Sequence, residues 1–463
     1  MKTSSARDTM FLNQTLKPGQ GDTLVSKSEI FELGLFTLGG SKFWHLGIWY
    51  KQVSVQTIVW VANREFPLVD PTGVLKLGYE GNLELLSATN VSIWSSPSQY
   101  YFYGNPVAQL LDSGNLVIRD YITGDIIWQS FDYPGDTWLP GMKIGVDLLI
   151  DGINRNVTSW KSSDDPSSGS FTISLETTGY PQLYRTYESM VLQRVGFWNG
   201  LGFTPVISSL NMFYFVWNDD EIYCDYTVLN SSYVTRMTLG HDGNFLLYLW
   251  NPTEQIWNWT HTGLYKDYCD TYGICGLYGS CNINKTPVCK CLEGFEPEVP
   301  SEWYEENWSN GCWPEISATN ENGHYFRKFS NLKLPDAKDA WFDSSMSLQE
   351  CENDCNSSVS CTAYAHIDIR GNGSRCLLWS SDLIDIRDAR EGDVSGQDIY
   401  IKMYNPKLIP LANKDRKQDS ELPLFSLSKI IKATSNLSID NKLGQGGFGA
   451  VYKSNMYIVI NDE

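Results

Sequence analysis

Ten of the eleven cysteines lie between Cys269 and Cys376, and none precedes Cys224. That distribution divides the chain into a long part that must fold on hydrophobic burial and a short part that needs covalent staples. Dense cysteines beside only five histidines point to disulfides, and disulfides to an oxidising compartment. The first six read Cys269-x5-Cys275-x5-Cys281-x7-Cys289-x-Cys291-x20-Cys312. The competing reading, a zinc site, lacks the C-x-x-C pair that such sites use. Spacing alone leaves the pairing open.

Glycosylation signals agree with that compartment. Up to residue 404, acceptor triplets N-x-S/T begin at Asn13, Asn90, Asn156, Asn230, Asn258, Asn284, Asn307, Asn356 and Asn372. One such triplet is weak; a spread of them across a stapled region is a stronger signal. Residues 1–404 carry 27 Lys+Arg against 48 Asp+Glu, while residues 405–463 carry 8 against 6. So acidic an N-terminal portion disfavours nucleic acid and anionic membrane as partners and would attract a basic one, with solubility alone as the alternative reading. Residues 1–20 contain no apolar stretch of signal-peptide length, and no run reaches the roughly 18 apolar residues of a membrane span. The expectation is an incomplete or alternatively spliced product of a cell-surface or secreted protein.

The cysteine-free half repeats itself. Gly81-Asn82-Leu83-x-Leu85 precedes Ile93-Trp94, Gly114-Asn115-Leu116-x-Ile118 precedes Ile127-Trp128, and Gly243-Asn244-Phe245-x-Leu247 precedes Ile256-Trp257. Gly-Asn supplies the positive-φ residues of a tight turn, and the apolar residues after it alternate with period two. Each segment therefore predicts a hairpin whose second strand delivers a tryptophan to a common interior. Repeated hairpins without helical periodicity predict closed, prism-like β-architecture, with a plain β-sandwich as the alternative.

Longer motifs carry a resemblance. LGIWYKQVSVQTIVWVANREFPL (46–68), QLLDSGNLVIRD (109–120) and WQSFDYPGDTWLPGMKIG (128–145) resemble the bulb-type lectin domain of plant S-locus receptor kinases, the G-type lectin S-receptor-like serine/threonine kinases. TSWKSSDDPSSGSF (158–171) and GFWNGLGF (196–203) are similar to the S-locus glycoprotein segment, and DYCDTYGICGLYGSC (267–281) to the family's EGF-like module. SLQECENDC (347–355), CTAYAHIDIRGNGSRCLLWSSDLIDIRD (361–388) and GQDIYIKM (396–403) resemble its PAN/apple domain. The resemblance implies a mainly β fold: tandem bulb-lectin-like β-prism domains, then a disulfide-rich EGF-like module and an α+β PAN/apple domain. The implied boundaries are 20–145, 146–264, 265–313 and 324–404, followed by a juxtamembrane-like linker at 405–440 and a truncated kinase fragment at 441–463.

The same resemblance implies the bridges Cys269–Cys281, Cys275–Cys289, Cys291–Cys312, Cys351–Cys376 and Cys355–Cys361. The family has a further cysteine where Val359 stands and another within the stretch that reads WPEISATN after Cys312; joint absence is what loss of one whole bridge produces. Cys224, where the family has tyrosine, is left over, either as a small buried hydrophobe or as a thiol for covalent dimers. Monocot mannose lectins bind sugar through Q-x-D-x-N-x-V-x-Y. Aligned on Asn115 this chain offers Leu111, Ser113, Val117 and Arg119, and aligned on Asn82 it offers Gly78, Glu80, Glu84 and Leu86. A site stripped of its hydrogen-bonding groups loses discrimination, so mannose binding is not expected.

LGQGGFGAVYK (443–453) fits the kinase glycine-rich loop through Gly444, Gly446, Gly449 and Val451, and it resembles the family's kinase entry. No V-A-I-K lysine, H-R-D or D-F-G follows, so this chain is not expected to be an enzyme or to hold a cofactor, and the fragment is too short for a core. ATP and Mg belong to full-length relatives. What remains is a receptor ectodomain; a carbohydrate-binding lectin and a soluble decoy receptor are the alternatives. The resemblance implies a small, cysteine-rich extracellular protein ligand and a homodimer, the charge adds that the ligand is basic, and the aromatic stretch 184–223 is the place to look for it.

Overall fold

A computed structural model describes residues 7–404 apart from 98–103, 150–151, 201, 204–210, 231–232, 262–266, 316–322, 369–374 and 390–395, together with 442–446 and 449–453. Strands dominate because the apolar residues alternate: Leu83–Leu86 buries every second side chain, and so does Thr235–Leu239.

The first β-prism closes three antiparallel four-stranded sheets. Thr15–Leu16, Val74–Leu77, Leu83–Leu86 and Ser92–Ser95 form one, and Thr9–Phe11, Pro106–Leu110, Leu116–Asp120 and Ile126–Gln129 form another. Leu24–Val25, Phe31–Phe36, His45–Tyr50 and Ile58–Val61 make the third. Each sheet sends one tryptophan to the centre, where Trp60, Trp94 and Trp128 meet edge to face with ring centroids 6.0–6.2 Å apart. The Gly-Asn turns form as expected, with Gly81, Gly114 and Gly243 all at positive φ. At Gly114 a Cβ would also lie within 3.0 Å of Leu139 and Phe31.

One expectation is corrected here. Trp257 does not join Trp94 and Trp128; their third partner is Trp60, whose hairpin has no Gly-Asn turn. Trp257 belongs to a second prism, in the sheet of Thr137–Trp138, Thr235–Leu239, Phe245–Asn251 and Ile256–His261. Its indole N–H donates to the Thr57 hydroxyl of the first prism at 2.9 Å, and its ring lies 5.5 Å from that of Tyr50. A repeat unit was recognised, but its copies serve two bodies rather than one. Two further four-stranded sheets complete the second prism, built around the long pairs Asp165–Glu176 with Gln182–Tyr187 and Asn211–Trp217 with Glu221–Val228. Cys224 sits on the last of these strands, fully buried and unbridged.

The two stapled segments share a single eight-stranded sheet in the order Cys289–Cys291, Gly279–Cys281, Ile386–Asp388, His324–Lys333, Gln397–Tyr404, Ala363–His366, Cys376–Trp379, Trp341–Asp343. Its join is parallel, Ser280 opposite Ile386. A helix, Leu348–Ser357, covers one end, started by a reciprocal capping box between Ser347 and Glu350. Its buried face carries Cys351 and Cys355. The disulfides are Cys269–Cys281, Cys275–Cys289, Cys291–Cys312, Cys351–Cys376 and Cys355–Cys361. The Cys275, Cys281 and Cys289 sulfurs cluster within 4.8 Å, but each is spent in a bridge and offers nothing to a metal. Among the described residues no helix is long and apolar enough to cross a membrane. Residues 407–463 form a separate unit, in which Lys442–Gly446 pairs antiparallel with Gly449–Tyr452 and Gly446 lies opposite Gly449.

Candidate ligand-recognition site

The degraded sugar motif has been given over to structure. Asn115 is 6% exposed; its Nδ2 donates to Gln129 Oε1 at 2.9 Å, and its Oδ1 accepts from the Ser130 hydroxyl and the Phe131 amide, both at 3.2 Å. That amide stitches a hairpin to the turn after it and has little left for a sugar hydroxyl. Arg119 donates to Gln109 at 2.9 Å, Ser113 accepts from the Asn115 amide at 3.3 Å, and Val117 is buried. Asn82 of the second alignment donates to Glu84 and to the Ser95 hydroxyl, both at 3.3 Å.

A different concavity lies where the second prism meets the PAN-side sheet. It is a cleft of about 580 Å³ lined by Tyr180, Trp198, Tyr214, Trp217, Phe342 and Arg375, among others. The prism wall comes from Asn211–Trp217, whose turn into the next strand is fixed by Asn218 Oδ1 accepting the amides of Asp220 and Glu221 at 2.9 and 2.8 Å. Asp219 lines the cleft from that turn, and Asp220 stands exposed beside it. The opposite wall is the edge strand Trp341–Asp343, which brings the Phe342 ring 4.3 Å from Trp217 and 5.6 Å from Tyr180. Tyr180 and Trp217 also meet edge to face at 5.5 Å.

Behind the cleft runs a buried polar seam. Arg194, with no exposed side chain, donates to Asp385 Oδ2 at 2.7 Å, to Gln182 at 3.1 Å, and to the carbonyls of Leu334 and Asp385 at 2.6 and 3.0 Å. Lys333 meets the same Asp385 oxygen at 2.8 Å. Asp336 accepts from the hydroxyls of Tyr184 and Tyr272. Burial alone would raise the Asp336 carboxyl, but the Arg194 charge and the two tyrosine hydroxyls outweigh it and hold its pKa below the ordinary value. Arg387 pairs with Asp267 and Asp270 nearby. Backbones approach as closely: a Cβ on Gly179 would stand 2.1 Å from the Ala337 carbonyl oxygen.

The structure therefore divides the aromatic stretch 184–223. Tyr184 and Phe197 are core, and Trp198, Phe213, Phe215, Trp217 and Tyr223 are partly buried, while Tyr187 and Tyr214 are exposed. Sequence reasoning missed Tyr180, Phe342 and Arg375, which reach the cleft from elsewhere in the chain and carry no local signal. The Cys224 thiol is held well above its ordinary pKa by burial, with Asp225 adding to the effect, which removes the thiolate a covalent dimer needs. Asn13, Asn90, Asn230, Asn258, Asn284, Asn307 and Asn356 are exposed; Asn156 is half-buried with its Oδ1 enclosed, and Asn372 lies outside the described residues.

Comparison with known proteins converges on one family. Models for the D-mannose binding lectin, the S-locus glycoprotein domain and the PAN-like domain match residues 57–161, 193–299 and 312–386. The S-locus-specific glycoprotein S6 of Brassica oleracea is 40% identical over 410 residues, covering 87% of this chain and 93% of that one. The receptor-like serine/threonine-protein kinase SD1-8 of Arabidopsis thaliana is 35% identical over 528 residues, covering 98% of this chain and 61% of that one. The chain belongs to the family of S-locus glycoproteins and G-type lectin S-receptor-like kinases. It spans about three fifths of the length of SD1-8 and of other receptor kinases it matches.

Proposed function

We propose that this chain is the extracellular recognition part of a receptor of this family, at the cell surface or secreted, and that it reads a small basic protein on the aromatic cleft between the second prism and the PAN-side sheet. The observation that carries the reading is the cleft itself: ring faces on both walls, acidic residues on the turn at one of them, and a buried seam that holds the walls in place before any ligand arrives. Such preorganisation lowers the ordering cost of binding, and ring faces accept a lysine or arginine side chain by cation–π contact. Units at 20–145, 146–264, 265–313 and 324–404 are the working divisions of that ectodomain, and pairing with a second copy of the chain belongs to the same reading.

The test is capture of the secreted ligand followed by crosslinking and contact mapping. Contacts at Tyr214, Trp217 and Phe342, with association that slows as salt rises, are expected. Contacts confined to the first prism, or salt-independent association, overturn the assignment. The chain by itself should transfer no phosphate, because a glycine-rich loop without the lysine and the metal-binding carboxylates gives the transition state only backbone contacts. Metal-dependent ATP turnover by the purified chain, abolished by Gly446→Val, would overturn that part.

A further inference from the structure

Asn211–Trp217, reading NMFYFVW, is the longest strand at a sheet edge among the described residues, and it carries neither charge nor proline. Natural sheets blunt such edges, because an open row of amides and carbonyls recruits another strand. Four consecutive residues of this strand, Tyr214, Phe215, Val216 and Trp217, line the cleft. Side chains alternate along a strand, so a cavity over one face would meet every second residue; only the strand's edge meets them all in turn. Asn218 donates its amide to the Glu221 carbonyl at 3.1 Å, and the same register continues through Trp217 opposite Ile222. Bonded pairs alternate in an antiparallel ladder, so Phe215 and Trp217 turn their amides and carbonyls outward. The opposite wall ends the same way. Ile367 donates its amide to the Arg375 carbonyl at 3.0 Å, which makes Ala365 and Leu377 a bonded pair and turns the Leu377 backbone away from Phe342, its neighbour on the other side. Phe342 therefore presents its own amide and carbonyl at the outer edge of the eight-stranded sheet. Among the described residues none of these groups has a backbone partner.

We propose that the basic protein ligand enters the cleft as an extended segment and pairs with the outer edge of Asn211–Trp217 as a fifth strand of its four-stranded sheet. This rests on the cleft being the ligand site, and adds how the site takes its ligand. Charge alone is a weak handle here, since the cleft carries one carboxylate, Asp219, and one guanidinium, Arg375. Backbone pairing supplies affinity that no side chain has to provide, and alternate side chains of the added strand supply the choice between ligands. On one face they extend the row of Tyr214 and Val216, on the other that of Phe215 and Trp217. A lysine or arginine at the end beside Asp219 completes the match. The Phe342 amide and carbonyl are available to the far side of the segment.

The test uses the full chain, secreted from plant cells, and a phage-displayed library of linear peptides of about twelve residues selected on it. Selected peptides should crosslink to Tyr214, Trp217 and Phe342, and should carry a lysine or arginine beside an alternating apolar run. Each is then resynthesised with a single backbone N-methyl group, moved one residue at a time. Because only alternate amides of an added strand face the edge, N-methylation should weaken binding about tenfold at every second position and little at the positions between. Hydrogen exchange should slow on binding at the Phe215 and Trp217 amides and stay unchanged at Val216, which pairs across to Tyr223. Crosslinks at the cleft with an N-methyl profile that does not alternate overturn strand pairing and leave the cleft reading standing. Peptides that bind only elsewhere, or a library that yields none, overturn both. Protection of the same two amides in the peptide-free chain, together with a dimer in sedimentation, gives the edge to a second copy and overturns the proposal.

Discussion

The centre of the first prism and the seam behind the cleft are both buried, and they are held in opposite ways. At the centre Trp60, Trp94 and Trp128 meet edge to face, and the only charges in the arrangement are ring quadrupoles. In the seam a guanidinium, an ammonium and two carboxylates interlock with two tyrosine hydroxyls. The difference follows from what each joins. Three tryptophan-bearing hairpins, two of them built on the same Gly-Asn turn, present like apolar surfaces and bury them chiefly by shape. The seam joins bodies of different architecture, and charge pairing with fixed hydrogen-bond directions permits one arrangement where apolar packing would tolerate several. Buried ion pairs are poor sources of net stability, so orientation of the cleft walls is the better account of why these residues are there.

The sharpest way to break that comparison is Arg194→Leu. Removing the guanidinium strands the Gln182, Leu334 and Asp385 oxygens in the interior and leaves the Asp385 carboxylate with only the Lys333 ammonium and the Gly273 amide, a loss of about 5 kcal/mol. Denaturant unfolding measures it, and Arg194→Lys should recover little, because one ammonium cannot reach all those acceptors. Trp128→Ala should cost about 4 kcal/mol through the cavity it opens, but Trp128→Phe should recover most of that. If Arg194→Lys is tolerated and Trp128→Phe is not, the contrast between directional seam and adaptable centre is wrong. Third, Cys291→Ser with Cys312→Ser opens a loop of sequence separation 21 and should cost about 3 kcal/mol. Because the Cys289–Cys291 strand is an edge of the shared sheet, hydrogen exchange should rise there and at Ile386–Asp388 while the first prism stays protected.

Legibility in the sequence tracks the range of the physical cause. Turns at Gly81 and Gly114 are local: the residue types that tolerate positive φ announce them, and the alternating strands follow. Trp60 was illegible as the third member of its triangle because its hairpin uses other loops, so the repeat was completed with Trp257, from another body. Little near Arg194 suggests its role, since apart from Gln182 its partners stand 140 and 191 residues along the chain. The cleft is harder still: four of its six aromatic residues lie in the stretch 184–223, but which rings face solvent depends on a PAN-side edge strand that packs against them. The resemblance supplied the order of modules. It did not supply the joining of the EGF-like and PAN segments into one sheet, which rests on the two-residue parallel pairing at Ser280 and Cys281.

The smallest expected effect separates the seam from the junction between the two prisms by the sign of its pH dependence. At that junction Asp136 is partly buried, with Arg236 and Arg64 near it. Burial raises its pKa to about 6 against the opposing pull of the Thr137 hydroxyl and the two arginines. A carboxyl whose folded pKa exceeds its unfolded one holds its proton longer in the folded state. Between about pH 4 and 6 the folded protein then binds more protons than the unfolded chain, and stability falls as pH rises through that window. Asp336 in the seam has the opposite shift, so its contribution is present above the ordinary carboxylate range and is lost only as pH falls below it. Taking the protein from pH 7 to pH 5 should therefore stabilise the inter-prism junction by about 1 kcal/mol, discounted for solvent screening, and leave the seam unchanged. Hydrogen exchange at Thr137–Trp138 and at Gln182–Tyr187 reads the two sites separately. Asp136→Asn should flatten the first profile and leave the second alone; a pH profile at Thr137–Trp138 that survives the substitution removes Asp136 from the account.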